Sequence, residues 1–179
     1  KDVEEMKQYE IPAFDLVIVD LYPFEETVKK TDDPAQIIEK IDIGGISLIR
    51  AGAKNFNEVV IVPDSKYYLE FMELYKNQNG CTSIEDRKRF ANYAFATSSH
   101  YDGMIYDWFA KDDETSDLNI HTDNRSELRY GENPHQKAVF HGKLDDVFEK
   151  LHGKDLSYNN LLDLEAGLNL IREFEEPAF

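Results

Sequence analysis

The tightest constraint on the fold is a strand–helix–strand rhythm with a glycine pair at its centre. Residues 14–20 (FDLVIVD) and 58–63 (EVVIVP) are short, β-branched and nearly continuous in apolar character. Such runs read as strands buried on both faces, the habit of parallel sheets covered by helices. Between them, Ile41-Asp42-Ile43-Gly44-Gly45-Ile46-Ser47 opens a helix pattern that runs from about Ile46 to Asn55. Parallel strands require a crossover connection, so this unit predicts an α/β layer with a parallel sheet. Asp33 and Pro34 are set as N-cap and first helical residue of a helix reaching about Lys40. Asp64 caps another helix, carrying Tyr68, Phe71, Met72 and Tyr75 and stopping before Gly80. Ser83 with Asp86 reads as a capping box for a long helix through Phe90, Tyr93, Ala94, Thr97 and Tyr101. A break is expected near Asp102-Gly103, before Ile105 to Phe109.

Composition narrows the function classes. The 179 residues carry a net charge of −16, which disfavours nucleic acid and anionic membrane surfaces as partners, because the phosphate term is repulsive. Cys81 is the single cysteine, so neither an intrachain disulfide nor a cysteine zinc cluster can form, and a reducing cytosol fits. The apolar runs are strand-length, and no membrane span is expected. The chain opens on Lys1 without an initiator Met and stops at Phe179 after what reads as a Pro-led strand start, which predicts a segment of a longer protein. Residues 111–117 are polar and mostly acidic, the best linker candidate. Beyond them come a polar loop, a short strand at Ala138-Val139-Phe140, a small helix over about 144–151, and a last helix striped by Leu161, Leu164, Leu168 and Ile171.

Glycine pairs admit close backbone approach and a helix N-terminus favours anions, so residues 41–55 form a candidate small-molecule site. Asp42 stands at its near end and Lys54 at its far end. At 1.5 Å rise per residue their Cα atoms lie on the order of 15 Å apart, too far for a salt bridge. They can share a ligand only if Lys54 reaches back, the helix is short, or each touches a different part of it. The plainer alternatives are that Asp42 caps the helix, that Lys54 is solvated and complements the helix dipole, and that Tyr22 before Pro23 merely packs. His100, His121, His141 and His152 show no metal-ligand spacing. Tyr67, Tyr68, Tyr101, Tyr106 and Trp108 read as core or half-buried helix residues.

Three motifs coincide: Val19-Asp20-Leu21-Tyr22-Pro23-Phe24; the 41–55 stretch; and Leu128-Arg129-Tyr130-Gly131-Glu132-Asn133-Pro134-His135-Gln136, followed by Leu156-Ser157-Tyr158-Asn159-Asn160-Leu161-Leu162-Asp163. Their order and spacing resemble the bifunctional purine biosynthesis enzyme family, AICAR transformylase/IMP cyclohydrolase, over essentially the whole chain. The third motif is the most specific. The resemblance implies that residues 1–118 are the C-terminal part of a methylglyoxal-synthase-like cyclohydrolase domain. Residues 119–179 would begin a cytidine-deaminase-like transformylase domain. It implies formyl transfer from 10-formyltetrahydrofolate, a co-substrate, to AICAR, then ring closure of formyl-AICAR to IMP without metal or organic cofactor. A cytoplasmic homodimer follows from the same resemblance, with transformylase sites that use both subunits.

Carried over residue by residue, the resemblance makes Asp42, Lys54 and Tyr22 catalytic. It makes Gly44 and Gly45 donors of backbone N–H groups to the ligand. Arg129 and Tyr130 become contacts of the AICAR nucleotide. His135 is expected to be structural, and Asn159 and Asn160 to cap the last helix. Asp20 stands where the family usually has Asn; an ionised Asp only accepts hydrogen bonds and repels an anionic nucleotide. The family's phosphate-binding segment and its Lys-His formyl-transfer motif do not occur in these residues, so complete sites, and formyl transfer by this polypeptide alone, are not expected. The competing reading is a non-catalytic acidic α/β nucleotide-binding or interaction module.

Overall fold

The computed structural model describes residues 2–114, 117, 118, 120, 122 and 124–176. They fall into two compact units, Lys1–His121 and Thr122–Phe179. Thr115 and Ser116 of the expected linker, His121, and the expected strand start at Pro177-Ala178-Phe179 lie outside the described residues.

The first unit is an α/β layer. After helix α1 (Asp2–Gln8), strand β1 (Leu16–Ile18) pairs in parallel with β2 (Val60–Val62), with Val17 opposite Ile61. Between them run α2 (Phe24–Lys30), α3 (Pro34–Ile38) and α4 (Gly44–Lys54); a 3-10 turn (Ser65–Tyr67), α5 (Tyr68–Asn77) and α6 (Ile84–Ala110) follow. On one face of the sheet Ile61 packs with Ile49 and Ala53 of α4 and Ala91 and Ala94 of α6, and Val17 leans on the same cluster. On the other face Val60 and Val62 meet Phe71 of α5 and Phe90 of α6. β2 is therefore buried throughout. β1 is not, against expectation: only Val17 is sheltered, while Leu16 and Ile18 are 36% and 50% exposed. Their face of the sheet is covered at β2 by α5 and α6, and among the described residues that cluster does not extend to Leu16 and Ile18.

Two further expectations are corrected. α6 is a single 27-residue helix with no break at Asp102-Gly103. Glycine inside a helix costs about 1 kcal/mol relative to alanine. Here Tyr101, Met104, Ile105 and Trp108 pack on the Phe24–Ile37 cluster on both sides of Gly103, and that burial outweighs the propensity. α2 was not expected at all; Glu25–Lys29 (2.6 Å) and Glu26–Lys30 (3.0 Å) pairs brace it at i,i+4, the favoured order of charges. The caps at Asp33 and Ser83 form as expected, while Asp64 caps the 3-10 turn that leads into α5 rather than α5 itself.

The second unit consists of an antiparallel pair, β3 (Arg125–Leu128) with β4 (Ala138–His141), a 3-10 turn (Leu144–Asp146) and α7 (Tyr158–Ile171). The helix expected over 144–151 is only that 3-10 turn. α7 begins at a Ser157/Asn160 capping box, yet none of its residues is buried. Leu161, Leu164 and Leu168 instead line an open hollow of about 580 Å³ with Leu128, Phe140 and Phe148.

Candidate functional site

Asp42 precedes α4, and its Oδ1 accepts the N–H of Gly45 at 2.6 Å and of Ile46 at 3.3 Å. The capping role set out above as the plainer alternative is thus occupied. It explains the second glycine of the pair: a Cβ at residue 45 would stand 2.8 Å from Asp42 Oδ1, whereas one at Gly44 would meet nothing within 4 Å. The Gly45 N–H is engaged by Asp42, so Gly44 is the glycine of the pair whose amide Asp42 does not take up.

The backbone of this turn is held from far along the chain. Tyr101 on α6 donates its hydroxyl to the Lys40 carbonyl at 2.9 Å and accepts the Asp42 N–H at 2.8 Å. Burial holds that hydroxyl above its ordinary pKa. The Tyr101 ring meets Phe24 edge-on, with centroids 6.2 Å apart, and the Phe24 N–H donates to the Tyr22 carbonyl at 2.8 Å. Lys40 Nζ lies 5.6 Å from the centroid of the Tyr22 ring. The segments carrying Tyr22 and Asp42, twenty residues apart in sequence, therefore converge through Lys40, Phe24 and Tyr101. Tyr22 itself is 57% exposed. Lys54 is exposed at the other end of the 11-residue α4, and the structure does not bring it to Asp42.

Beside Tyr22 lies a cleft of about 370 Å³, walled by Asp20, Glu25, Glu26, Asp64, His100 and Tyr101 among others. Neither Asp42 nor Lys54 lines it. Asp20 accepts a hydrogen bond from the Tyr68 hydroxyl, which raises the Tyr68 pKa. His100 Nε2 stands 3.8 Å from Glu25 Oε2, and Glu25 is held below its ordinary pKa, chiefly by Lys29. Four carboxylates make this cleft unsuited to a phosphate. Lys40 is a cation beside the Tyr22 ring and does not line this cleft.

In the second unit the Arg129–Gln136 loop is tied by Gln136. Its carbonyl accepts the Gly131 N–H at 2.8 Å, its own N–H donates to the Asn133 carbonyl at 3.0 Å, and its Oε1 accepts the Asn133 N–H at 2.7 Å. Gly131 permits this closure, since a Cβ there would stand 3.0 Å from Gln136 Cβ. The loop is anchored to the start of α7 by Arg129 N–H to the Leu156 carbonyl (2.7 Å), Tyr158 N–H to the Tyr130 carbonyl (3.1 Å) and Asn159 Nδ2 to the Glu132 carbonyl (3.2 Å). Asn160, not Asn159, completes the cap. The Arg129 guanidinium stacks on the Tyr130 ring at 4.9 Å and donates to its hydroxyl at 3.3 Å. Ser157 first, then Arg129, lower the Tyr130 pKa. An Arg–Tyr pair on a tied loop, with the guanidinium exposed, is a ready acceptor of an anion.

Lys40, Tyr101 and Gln136 escaped the sequence reading. Lys40 ends a helix like any solvated lysine, Tyr101 sits on an apolar stripe, and Gln136 carries no ionisable group. Among the described residues, no cluster of histidine, cysteine or acidic side chains could hold a metal ion, and no helix is long and apolar enough to cross a membrane.

Against known proteins, a family model described as the AICARFT/IMPCHase bienzyme matches residues 52–179, taking in Lys54, Arg129 and Tyr130. The Bifunctional purine biosynthesis protein PurH of Bacteroides thetaiotaomicron is 50% identical over 179 residues, all of this chain and 35% of the relative. That of Microcystis aeruginosa is 45% identical over 186 residues, 99% of this chain and 36% of the relative. A solved structure described as the crystal structure of ForH shares 32% identity at a TM-score of 0.51, over 61% of this chain and 57% of that one. The chain thus spans about a third of the length of the curated relatives it matches. With a match over most of its residues and relatives aligned along its whole length, this chain belongs to the AICARFT/IMPCHase bienzyme family.

Proposed function

We propose that this chain serves the last two steps of IMP biosynthesis. Its first unit would be one wall of the cyclohydrolase pocket, in a methylglyoxal-synthase-like domain. Its second unit would begin a cytidine-deaminase-like transformylase. In the ring closure, the carboxamide nitrogen of formyl-AICAR bonds to its own formyl carbon, the formyl oxygen is protonated, and water leaves to give IMP. Both reacting groups belong to one molecule, so holding them in contact removes much of the barrier. Asp42 Oδ1 is committed to the amides of α4, so Oδ2 is the oxygen that orients the carboxamide N–H and accepts its proton. The Tyr22 hydroxyl relays a proton to the formyl oxygen, with Lys40 beside it. Gly44 offers its N–H to the ligand. Lys54 stabilises charge developing on the formyl oxygen only by extending back along α4; otherwise it serves a different part of the nucleotide.

In the second reaction Arg129 grips the AICAR phosphate bidentately and Tyr130 adds a hydrogen bond, while the formyl group passes from 10-formyltetrahydrofolate to the AICAR amine. A homodimer fits that reading. The observation that carries the proposal is the convergence of the Tyr22 and Asp42 segments on Tyr101 and Lys40.

The test is IMP formation from formyl-AICAR by the full-length bienzyme carrying this sequence. Asp42→Asn and Tyr22→Phe should each lower kcat by on the order of 10²-fold, the usual weight of a positioned acid or base. Unchanged turnover in Lys54→Ala removes Lys54 from the mechanism. Unchanged turnover in all three substitutions removes these residues from the mechanism; nucleotide binding without any turnover favours the non-catalytic module, a reading that the placement of Asp42 and Lys54 at opposite ends of α4 supports.

A further inference from the structure

We propose that Tyr101 is a positioning residue for the ring closure, acting through Asp42; this rests on the reading of Asp42 given above. The hydroxyl of Tyr101 is spent on backbone groups, so the part of Tyr101 in the reaction runs through Asp42. It is buried at 8% exposure, and both hydrogen-bonding capacities of its hydroxyl are used, toward the Lys40 carbonyl and the Asp42 N–H. Those two groups flank Ile41, so one hydroxyl bridging them fixes the curvature of the turn that delivers Asp42 to α4. The carboxylate is then located at two points, its backbone by Tyr101 and its Oδ1 by the Gly45 N–H.

The same ring braces the other side of the site. Its edge-on contact with Phe24 supports the residue whose N–H closes onto the Tyr22 carbonyl. Ring and hydroxyl thus carry separable tasks: the ring serves the Tyr22 segment, the hydroxyl the Asp42 segment. Tyr101→Phe removes only the second. It leaves a carbonyl and an amide without their partner, and the turn must relax to satisfy them. Displacement of a catalytic group by about 1 Å can lower a rate as much as 10²-fold.

The experiment measures IMP formation from formyl-AICAR in the full-length bienzyme carrying this sequence, for Tyr101→Phe, Asp42→Asn and the double substitution, each well below its melting midpoint. Tyr101→Phe should lower kcat about tenfold with KM within about twofold, the mark of an interaction felt in the transition state. In the Asp42→Asn background the same change should have no further effect, because a residue that works through Asp42 has nothing left to position. A second readout needs no turnover: amide hydrogen exchange should accelerate at Asp42 and stay unchanged at Ile49, inside α4. The inference is overturned if Tyr101→Phe leaves kcat unchanged, if the two losses multiply, or if exchange at Asp42 does not move. If Asp42→Asn itself leaves turnover intact, the reading of Asp42 fails and takes this inference with it. An effect of Asp42→Asn without one of Tyr101→Phe sinks the inference alone.

Discussion

The two units use the same local rules and reach different degrees of burial. Each starts its last helix with a serine capping box, Ser83 with Asp86 in the first and Ser157 with Asn160 in the second. In the first unit the helix so begun buries Phe90, Ala91, Ala94 and Tyr101. In the second the helix buries none of its residues and leaves its leucines around an open hollow. Helix ends are decided by a few neighbouring residues, whereas burial requires a sheet face for the helix to cover. The candidate residues inherit the difference. Asp42 is fixed by a tyrosine 59 residues away, while Arg129 and Tyr130 are fixed by bonds inside their loop and to its neighbour at the start of α7.

The largest effect that could break this contrast lies in the two cores. Phe90 is fully buried against Phe71 and Tyr93, and Phe90→Ala should cost about 3–5 kcal/mol. Leu168 borders the hollow at 39% exposure, and Leu168→Ala should cost less than about 1 kcal/mol, since little new cavity is made. The chain's single tryptophan, Trp108, lies in the first unit, so its fluorescence during denaturation follows that unit alone; amide exchange in α7 follows the second. Equal losses in the two cores would end the distinction.

Next in size is the glycine pair. Gly45→Ala drives a Cβ against the Asp42 carboxylate and should cost about 1–3 kcal/mol, with loss of ring closure in the intact bienzyme. Gly44→Ala meets open space and should be neutral or stabilise by up to about 1 kcal/mol. Denaturation midpoints of the two variants separate them. If both behave alike, steric pressure on Asp42 is not what requires glycine at 45.

The glycine pair also shows how far the sequence could be read. β1, β2 and β4, the caps at Asp33 and Ser83 and the parallel crossover follow from period and punctuation and emerge where expected; β3 does not, since Arg125–Leu128 runs into what reads as polar loop. What escaped depends on contacts remote in sequence. The unbroken α6 could not be foreseen because Gly103 argues for a break until Phe24 and Ile37 supply packing on both sides of it. The exposure of Leu16 and Ile18 could not be foreseen because an apolar strand does not state which of its faces is covered. At the site, Asp42 was legible from its place before a helix. Tyr101 was not, because one hydroxyl bonded to two backbone groups leaves no pattern in the chain. α2 is the exception: it was not expected although its two Glu–Lys pairs at i,i+4 are local.

The capping boxes give the next test. Ser83→Ala and Ser157→Ala should each destabilise their own unit by about 1 kcal/mol, the usual weight of an N-cap. Fluorescence of Trp108 should register only the first, and exchange in α7 only the second. Cross-talk between the two readouts would mean that the units do not unfold separately.

The smallest effect separates the boxes by charge. Asp86 accepts from the Ser83 N–H (3.0 Å), the Ser83 hydroxyl (2.7 Å) and Gln78 Nε2 (2.9 Å), and lies 3.3 Å from Arg89. The Ser83 hydroxyl above all holds the carboxyl below its ordinary value of 3.8, against an opposing push from burial. A carboxyl with a lowered folded pKa stabilises fully above its unfolded value and loses that contribution as pH falls through the folded one. Asn160 does the same work without titrating. From about pH 5 downward, the first unit should therefore lose the carboxylate's share of its cap while the cap of α7 persists. In Asp86→Asn that acid-dependent part of the first unit's stability should vanish, at the cost of the 0.3–1 kcal/mol or so that a charge in a first helical turn contributes near neutrality. An acid limb in Trp108 fluorescence that is unchanged by Asp86→Asn would place the titrating group elsewhere among the paired carboxylates, with Glu25 the next to substitute.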